Sequence, residues 1–139
     1  MNKFSLILLL STLVVANSPV NAGSEKIGNF ALIDHEGNFH QLRKYGDSKA
    51  VVIISTAVDC QENIERLPKY RLLRTTWERQ GVTFLAINST ARDSRADIRH
   101  MDDLYNFDLP ILLDSSQLVA ESLGLTRAGE IIVLAPDRF

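Results

Sequence analysis

The chain has 139 residues, with 15 Lys and Arg against 17 Asp and Glu, a formal net charge of -2 and a 45% share of hydrophobic residues. This balance suits one globular domain with one core. It carries no basic patch with interleaved aromatics to argue for nucleic acid, no low-complexity tract or repeat, and, with a single cysteine, no internal disulfide framework.

The N-terminus reads first as an export signal. Met1-Asn2-Lys3 is a short positive start, residues 4–16 are almost wholly apolar, and Val20-Asn21-Ala22 puts small residues in the cleavage-site positions before Gly23. These are the three parts of a secretory signal peptide, and its apolar core is too short to span a bilayer comfortably. The expectation is an exported protein, periplasmic or extracellular. Residues 1–22 are then removed, residues 23–139 form the domain, and no stable membrane span remains after cleavage.

The rest alternates between strands and helices. Residues 30–33 and 39–40 flank the polar, glycine-bearing stretch Asp34-His35-Glu36-Gly37-Asn38, which predicts a hairpin. Residues 50–56 are short, apolar and β-branched, as a buried strand requires. A helix is predicted over 62–80, with apolar positions at Ile64, Leu67, Leu72, Leu73 and Trp77, a kink or short first turn at Pro68, and a stop at Gly81. A strand follows at 82–87, a helix at 93–105 and a short strand at 111–113. Asp114 or Ser115 is predicted to cap a third helix that runs through Leu123 and stops at Gly124. The last strand is 131–134. This alternation implies an α/β sheet with a parallel portion and helices on its faces.

Cys60 is the leading candidate for chemistry. It sits where the 50–56 strand hands over to the long helix, after Ala57-Val58-Asp59. A thiol there faces unpaired backbone N–H groups and the positive end of the helix dipole, which favour the nucleophilic thiolate. The neighbouring Asp59 carboxylate opposes them. Other candidates are weaker. His35, His40 and His100 lack the close spacing of a zinc site and read as surface histidines. Residues 92–97 and 102–103 read as a solvated, charge-rich helix face. Trp77, Phe84 and Tyr105 read as core. Asn88-Ser89-Thr90 fits a glycosylation sequon, which matters only in a host with the machinery. No metal or cofactor is expected.

Taken in order, these residues resemble the redoxin family, the peroxiredoxin and alkyl hydroperoxide reductase/thiol-specific antioxidant class of thioredoxin-like proteins. The resemblance rests on Ile27-Gly28-Asn29-Phe30-Ala31-Leu32 with Asp34 and Gly37, on the cysteine at a strand–helix turn, and on Gln80-Gly81-Val82 through Asn88. Its closest stretch is Leu109-Pro110-Ile111-Leu112-Leu113-Asp114 with Gln117, Val119, Ala120, Leu123 and Gly124. It implies a thioredoxin-like α/β fold: a central mixed sheet, helices on both faces and an N-terminal hairpin. It also implies one more strand and a C-terminal helix, which the residues after Leu134 are too few to supply. The sheet near residues 131–134 is therefore expected to be under-covered, favouring self-association or a partner at that strand.

The departures from the family pattern shape the expected chemistry. Asn63 stands where a C-x-x-C pair has its second cysteine, which excludes a dithiol cycle within the chain. Ala57 and Gln61 replace the threonine and proline that usually flank a peroxidatic cysteine, and Thr56 lies one position away from the threonine's place. Gly129 replaces a cis-proline, predicting a trans, more flexible loop. Arg127 is the candidate thiolate or peroxide stabiliser, and Thr56 a candidate hydrogen-bond donor. The function implied is one-cysteine peroxide or disulfide chemistry at Cys60, resolved by an external thiol or a redox partner protein. The alternatives are a non-catalytic binding or assembly module and a degenerate domain of a larger redox system.

Overall fold

The computed structural model describes residues 27–138. The predicted signal peptide, residues 1–22, lies outside the described residues. The elements in chain order are β1 (Ala31–Ile33), β2 (Phe39–Gln41), β3 (Ala50–Thr56), α1 (Gln61–Trp77), β4 (Val82–Asn88), α2 (Arg95–Tyr105), β5 (Ile111–Leu113), α3 (Leu118–Ser122) and β6 (Ile131–Leu134). Short 3-10 turns cover Leu42–Tyr45, Glu78–Gln80 and Pro136–Arg138. Among the described residues, no helix is long and apolar enough to cross a membrane.

β1 and β2 form the predicted hairpin. The other strands make a mixed sheet in the order β5-β4-β3-β6, with β3, β4 and β5 parallel and β6 antiparallel to β3. Alternation along β3 feeds two cores. Ile54 faces a core with Leu67 and Tyr70 of α1, Ile98 and Met101 of α2, and Phe84. Val51 and Ile53 face a second core with Phe30, Leu42, Leu85, Ile87, Leu123 and Leu134. A strand buried on both faces needs an apolar, β-branched sequence, and Ala50–Thr56 supplies one.

The helices follow local chemistry with corrections to their ends. α1 runs unbroken through Pro68, which has no N–H to offer the Ile64 carbonyl. α2 starts one residue after Ser94, whose side chain accepts from the Asp97 N–H while the Asp97 carboxylate accepts from the Ser94 N–H. α3 starts later than predicted, because Gln117, in the left-handed region, is its N-cap. The buried Asp114 still serves it from a distance, accepting from the Ala120 N–H at 2.9 Å and the Val119 N–H at 3.3 Å.

The two histidines nearest the hairpin are not surface residues. The buried His35 accepts the Ile111 N–H at Nδ1 (3.2 Å), so its Nε2 carries the proton and points to Asp102 (3.2 Å). His40 Nε2 meets Asp34 at 2.9 Å and its Nδ1 meets the Tyr45 hydroxyl at 2.5 Å. Asp34 also gathers the N–H groups of Glu36, Gly37 and Asn38. Together these bonds hold the hairpin against the edge of β5, where Asp34 bridges to Leu112 and the His35 N–H donates to the Ile111 carbonyl.

Trp77 and Tyr105 are also corrections: they are 45% and 41% exposed, while Phe84 is buried as predicted. Tyr105 is the last residue of α2, and Trp77 ends α1 above a stretch of sheet that no other element covers among the described residues.

Gly129 explains how β6 joins the sheet. The Ser55 N–H donates to the Glu130 carbonyl and the Gly129 N–H to the Ser55 carbonyl, both at 2.8 Å, so two residues oppose one. Gly129 has φ +89°, the left-handed glycine of a G1 bulge. A Cβ there would stand 3.1 Å from the Arg66 guanidinium and 3.2 Å from Asn63 Oδ1. The peptide bonds of the described residues are all trans, as expected for this loop. Gly129→Ala is expected to cost about 1–2 kcal/mol for the left-handed backbone, read as a lower urea midpoint. An unchanged midpoint would show that the bulge does not constrain β6.

The hairpin carries a pH dependence. Burial is the largest single influence on Asp34 and pushes its carboxyl up, but hydrogen bonds from His40, Asn38 and the Asn38 and Gly37 N–H groups together outweigh it and hold it at about 2, against an ordinary 3.8. A depressed carboxyl stabilises the fold fully above pH 3.8 and loses that contribution as pH falls through about 2. Acid unfolding followed by circular dichroism should show this loss, and Asp34→Asn should be less stable at neutral pH with a flatter profile across that window. Parallel profiles for the two proteins would contradict the assignment.

Candidate functional site around Cys60

The carboxyl end of β3 delivers the chain to Cys60. Four residues, Ala57 to Cys60, separate strand from helix, and Cys60 is the N-cap residue of α1 with extended backbone. The thiol is partly exposed. The Cys60 carbonyl accepts from the N–H groups of Asn63 (3.0 Å) and Ile64 (3.2 Å), closing the first helical turn. Its side chain makes no capping hydrogen bond. Glu62 lies in the first turn, where a negative charge suits the dipole, and it pairs with Arg66.

The loop before the cysteine is pinned from the neighbouring strand. The Val58 N–H donates to Asp93 Oδ2 at 2.8 Å, and the same oxygen accepts Asn88 Nδ2 at 2.9 Å. Asn88 is buried at the end of β4, opposite Thr56 in the parallel register, and its Oδ1 takes the Thr90 N–H at 2.9 Å. Asp59, directly before the thiol, has φ +61°, a conformation that aspartate tolerates better than most residues. Asp93 belongs to the segment read from sequence as a solvated face. Position alone gave no sign that its carboxylate would cap the cysteine loop.

Asn63 is also more than a missing cysteine. It is buried, its Nδ2 donates to the Ser55 carbonyl at 3.1 Å, and its Oδ1 has no partner among the described residues. It lies one helical turn beyond Cys60 and faces Gly129 across the bulge. Arg66 reaches the same loop, donating to the Gly129 carbonyl at 3.5 Å. Sequence reasoning singled out Arg127 and passed over Arg66. The i,i+3 spacing of Asn63 and Arg66 was the available signal, since it puts both on one face of α1.

The structure brings Thr56 and Arg127 to one cavity, of about 530 Å³, whose lining also includes Ala57, Thr90 and Gln117. Cys60 is not among the lining residues. Thr56 is buried, and its hydroxyl has no partner among the described residues. Arg127 is 82% exposed, and its guanidinium turns to Glu130 at 3.4 Å. The Glu130 carboxylate accepts the N–H groups of Thr126 and Arg127, which hold its carboxyl below the usual range. Among the described residues, no cluster of His, Cys, Asp and Glu could hold a metal ion.

Comparison with known proteins bears on the fold and the family. No curated protein matches the chain. Among solved structures, a hypothetical protein from Sinorhizobium meliloti 1021 aligns with a TM-score of 0.73 at 22% identity, covering 82% of this chain and 65% of its own. The thioredoxin domain of a thiol-disulfide oxidoreductase from Bacteroides vulgatus aligns with a TM-score of 0.71 at 17% identity, covering 84% of each chain. The peroxidoxin BcpB from Mycobacterium tuberculosis aligns with a TM-score of 0.68 at 20% identity, covering 82% of this chain and 79% of its own. The chain spans just under two thirds of the length of the Sinorhizobium protein and of an uncharacterized conserved protein from Geobacillus kaustophilus, 65% and 64%. These likenesses show the thioredoxin-like fold. The model of the AhpC/TSA family matches residues 24–137, and the chain belongs to that family.

Proposed function

We propose that this protein is an exported thiol oxidoreductase that works with one cysteine, Cys60. The observation that carries the reading is the placement of the sole cysteine, partly exposed, as the N-cap of α1 in a redoxin-family domain. In the peroxide reaction the Cys60 thiolate attacks one peroxide oxygen. An S–O bond forms, the O–O bond breaks, and water or an alcohol leaves after taking a proton. The sulfur gives up two electrons and becomes a sulfenic acid. An external thiol then displaces water to form a mixed disulfide, and a second external thiol releases Cys60. Asn63 cannot perform that last step, so the reductant comes from outside the chain. With a disulfide substrate, Cys60 enters the same mixed-disulfide stage directly. Export rests on the leader in residues 1–22, which also places the thiol where an external reductant must be supplied.

A second reading, a binding or assembly module that keeps the fold without the chemistry, draws on two observations. Arg127 is committed to Glu130 and exposed, and the second cysteine position holds a buried asparagine. In the catalytic reading Arg127 exchanges Glu130 for the substrate or thiolate, and Thr56 donates its unpartnered hydroxyl after a rearrangement of the turn.

Peroxide consumption in the presence of dithiothreitol separates the two. The wild type is expected to exceed the uncatalysed rate, Cys60→Ser to fall to that rate, and Arg127→Ala to slow turnover at least about tenfold, as loss of one charge-stabilising donor does. A wild type no faster than Cys60→Ser would remove the peroxide reaction, and a wild type equally inert toward a disulfide substrate would leave the binding-module reading. An unchanged Arg127→Ala would remove Arg127 from the site.

A further inference from the structure

The turn that delivers Cys60 gets little support from its own bonds. It is Ala57-Val58-Asp59-Cys60, with φ positive at its third position, Asp59 (+61°), and not at its second, Val58. That is the pattern of a type II turn, whose third position favours glycine or asparagine. An aspartate there carries the steric cost of a Cβ in the left-handed region. The bond that closes the turn is long: the Cys60 N–H reaches the Ala57 carbonyl at 3.4 Å, against a usual span of about 2.7–3.2 Å. Backbone in a disfavoured conformation persists only where its surroundings enforce it.

The enforcing contact comes from outside the turn. The Val58 N–H donates to Asp93 Oδ2 at 2.8 Å. The Val58 side chain packs against the core that holds Ile98 and Met101. That packing fixes where Val58 sits, and the bond to Asp93 fixes which way its peptide faces. Asp93 is itself held twice. Its Oδ2 also takes Asn88 Nδ2 at 2.9 Å, and its N–H donates to the Thr90 carbonyl at 3.0 Å. Asn88 lies opposite Thr56 at the end of β4, and the Thr90 N–H on its Oδ1 leaves its Nδ2 to Asp93. A line of bonds therefore runs from the end of β4 through Asn88 and Asp93 to Val58, two residues before the thiol.

We propose that Asp93 is a positioning residue for Cys60: by holding the Val58 peptide it keeps the strained turn in the conformation that sets the thiol at the start of α1. This rests on the reading of Cys60 as the reactive thiol. The requirement is an acceptor oxygen and not a charge. One oxygen of Asp93 takes both donors, and an amide oxygen, with two lone pairs, can take the same two. Release of the Val58 N–H lets Asp59 leave the left-handed region. Cys60 then loses its N-cap position, and with it the backbone N–H groups that stabilise an anionic sulfur as it attacks.

Alkylation by iodoacetamide at pH 7 forms an S–C bond as iodide leaves, so it reads the nucleophilicity of Cys60 without peroxide. Asp93→Ala is expected to slow alkylation about fivefold, the scale of a charge at a helix end. Asp93→Asn, which keeps the acceptor and removes the charge, should restore most of the rate. A variant that merely loosened the loop would expose the thiol and alkylate faster. Asp59→Gly supplies a second test. Glycine holds the left-handed conformation without the Cβ cost, so in that background Asp93→Ala should slow alkylation less than it does in the wild type. A rate left unchanged or raised by Asp93→Ala, an Asp93→Asn variant as slow as Asp93→Ala, or an equal effect in both backgrounds would overturn the proposal. Peroxide and disulfide turnover are measured separately. A Cys60 inert toward both substrates yet slowed by Asp93→Ala would remove the catalytic reading and leave Asp93 as the residue that positions the thiol.

Discussion

The pairing of β3 on both of its sides is the constraint on which the rest of the structure depends. β3 runs parallel to β4 along all seven of its residues and antiparallel to β6 along four. Its side chains alternate between the two cores. A strand held by two ladders and two cores has little freedom in direction or register. The four-residue turn at its carboxyl end, which carries Cys60, is therefore anchored at its start as firmly as the strand itself.

That turn joins elements that pack elsewhere. Asp93 receives the Val58 N–H and the Asn88 amide on one oxygen, tying the approach to Cys60 to the end of β4. Asn63, one helical turn into α1, bonds back to the Ser55 carbonyl, which also accepts the Gly129 N–H. The end of β3, the first turns of α1 and the bulge before β6 therefore share a small set of bonds. Buried polar groups of this kind are costly when left unpaired. Two exceptions, the Asn63 Oδ1 and the Thr56 hydroxyl, lie within a few residues of the cysteine.

Much of the fold was legible in the residues because it depends on local pattern. The buried strands announce themselves by apolar, β-branched runs, and Cys60 falls at a strand–helix junction that both flanking patterns define. The illegible features depend on tertiary partners. His35 and His40 read as surface residues because nothing nearby in sequence reveals that Asp102 and the Ile111 N–H, far along the chain, meet His35. Asp93 read as solvated for the same reason. Trp77 read as core because its helical spacing is right, and it is half-exposed because the sheet beside it lacks a covering layer among the described residues. Arg127 was named from the family resemblance, but the side chain follows the nearest charge, Glu130, three residues away. Exposed ion pairs of this sort are weak, so the observed pairing leaves the arginine available at small cost.

The central claim is that Cys60 is a reactive thiol and that the chain relies on another molecule to resolve it. Its most direct test is the intact mass of the protein after a brief peroxide pulse in the presence of a sulfenate trap such as dimedone. The account predicts a single adduct located at Cys60, accumulating because the chain has no second cysteine to consume the sulfenic acid before the trap reaches it. A protein that emerges unmodified, with Cys60 still a free thiol at peroxide levels that oxidise a simple thiol in solution, would contradict it.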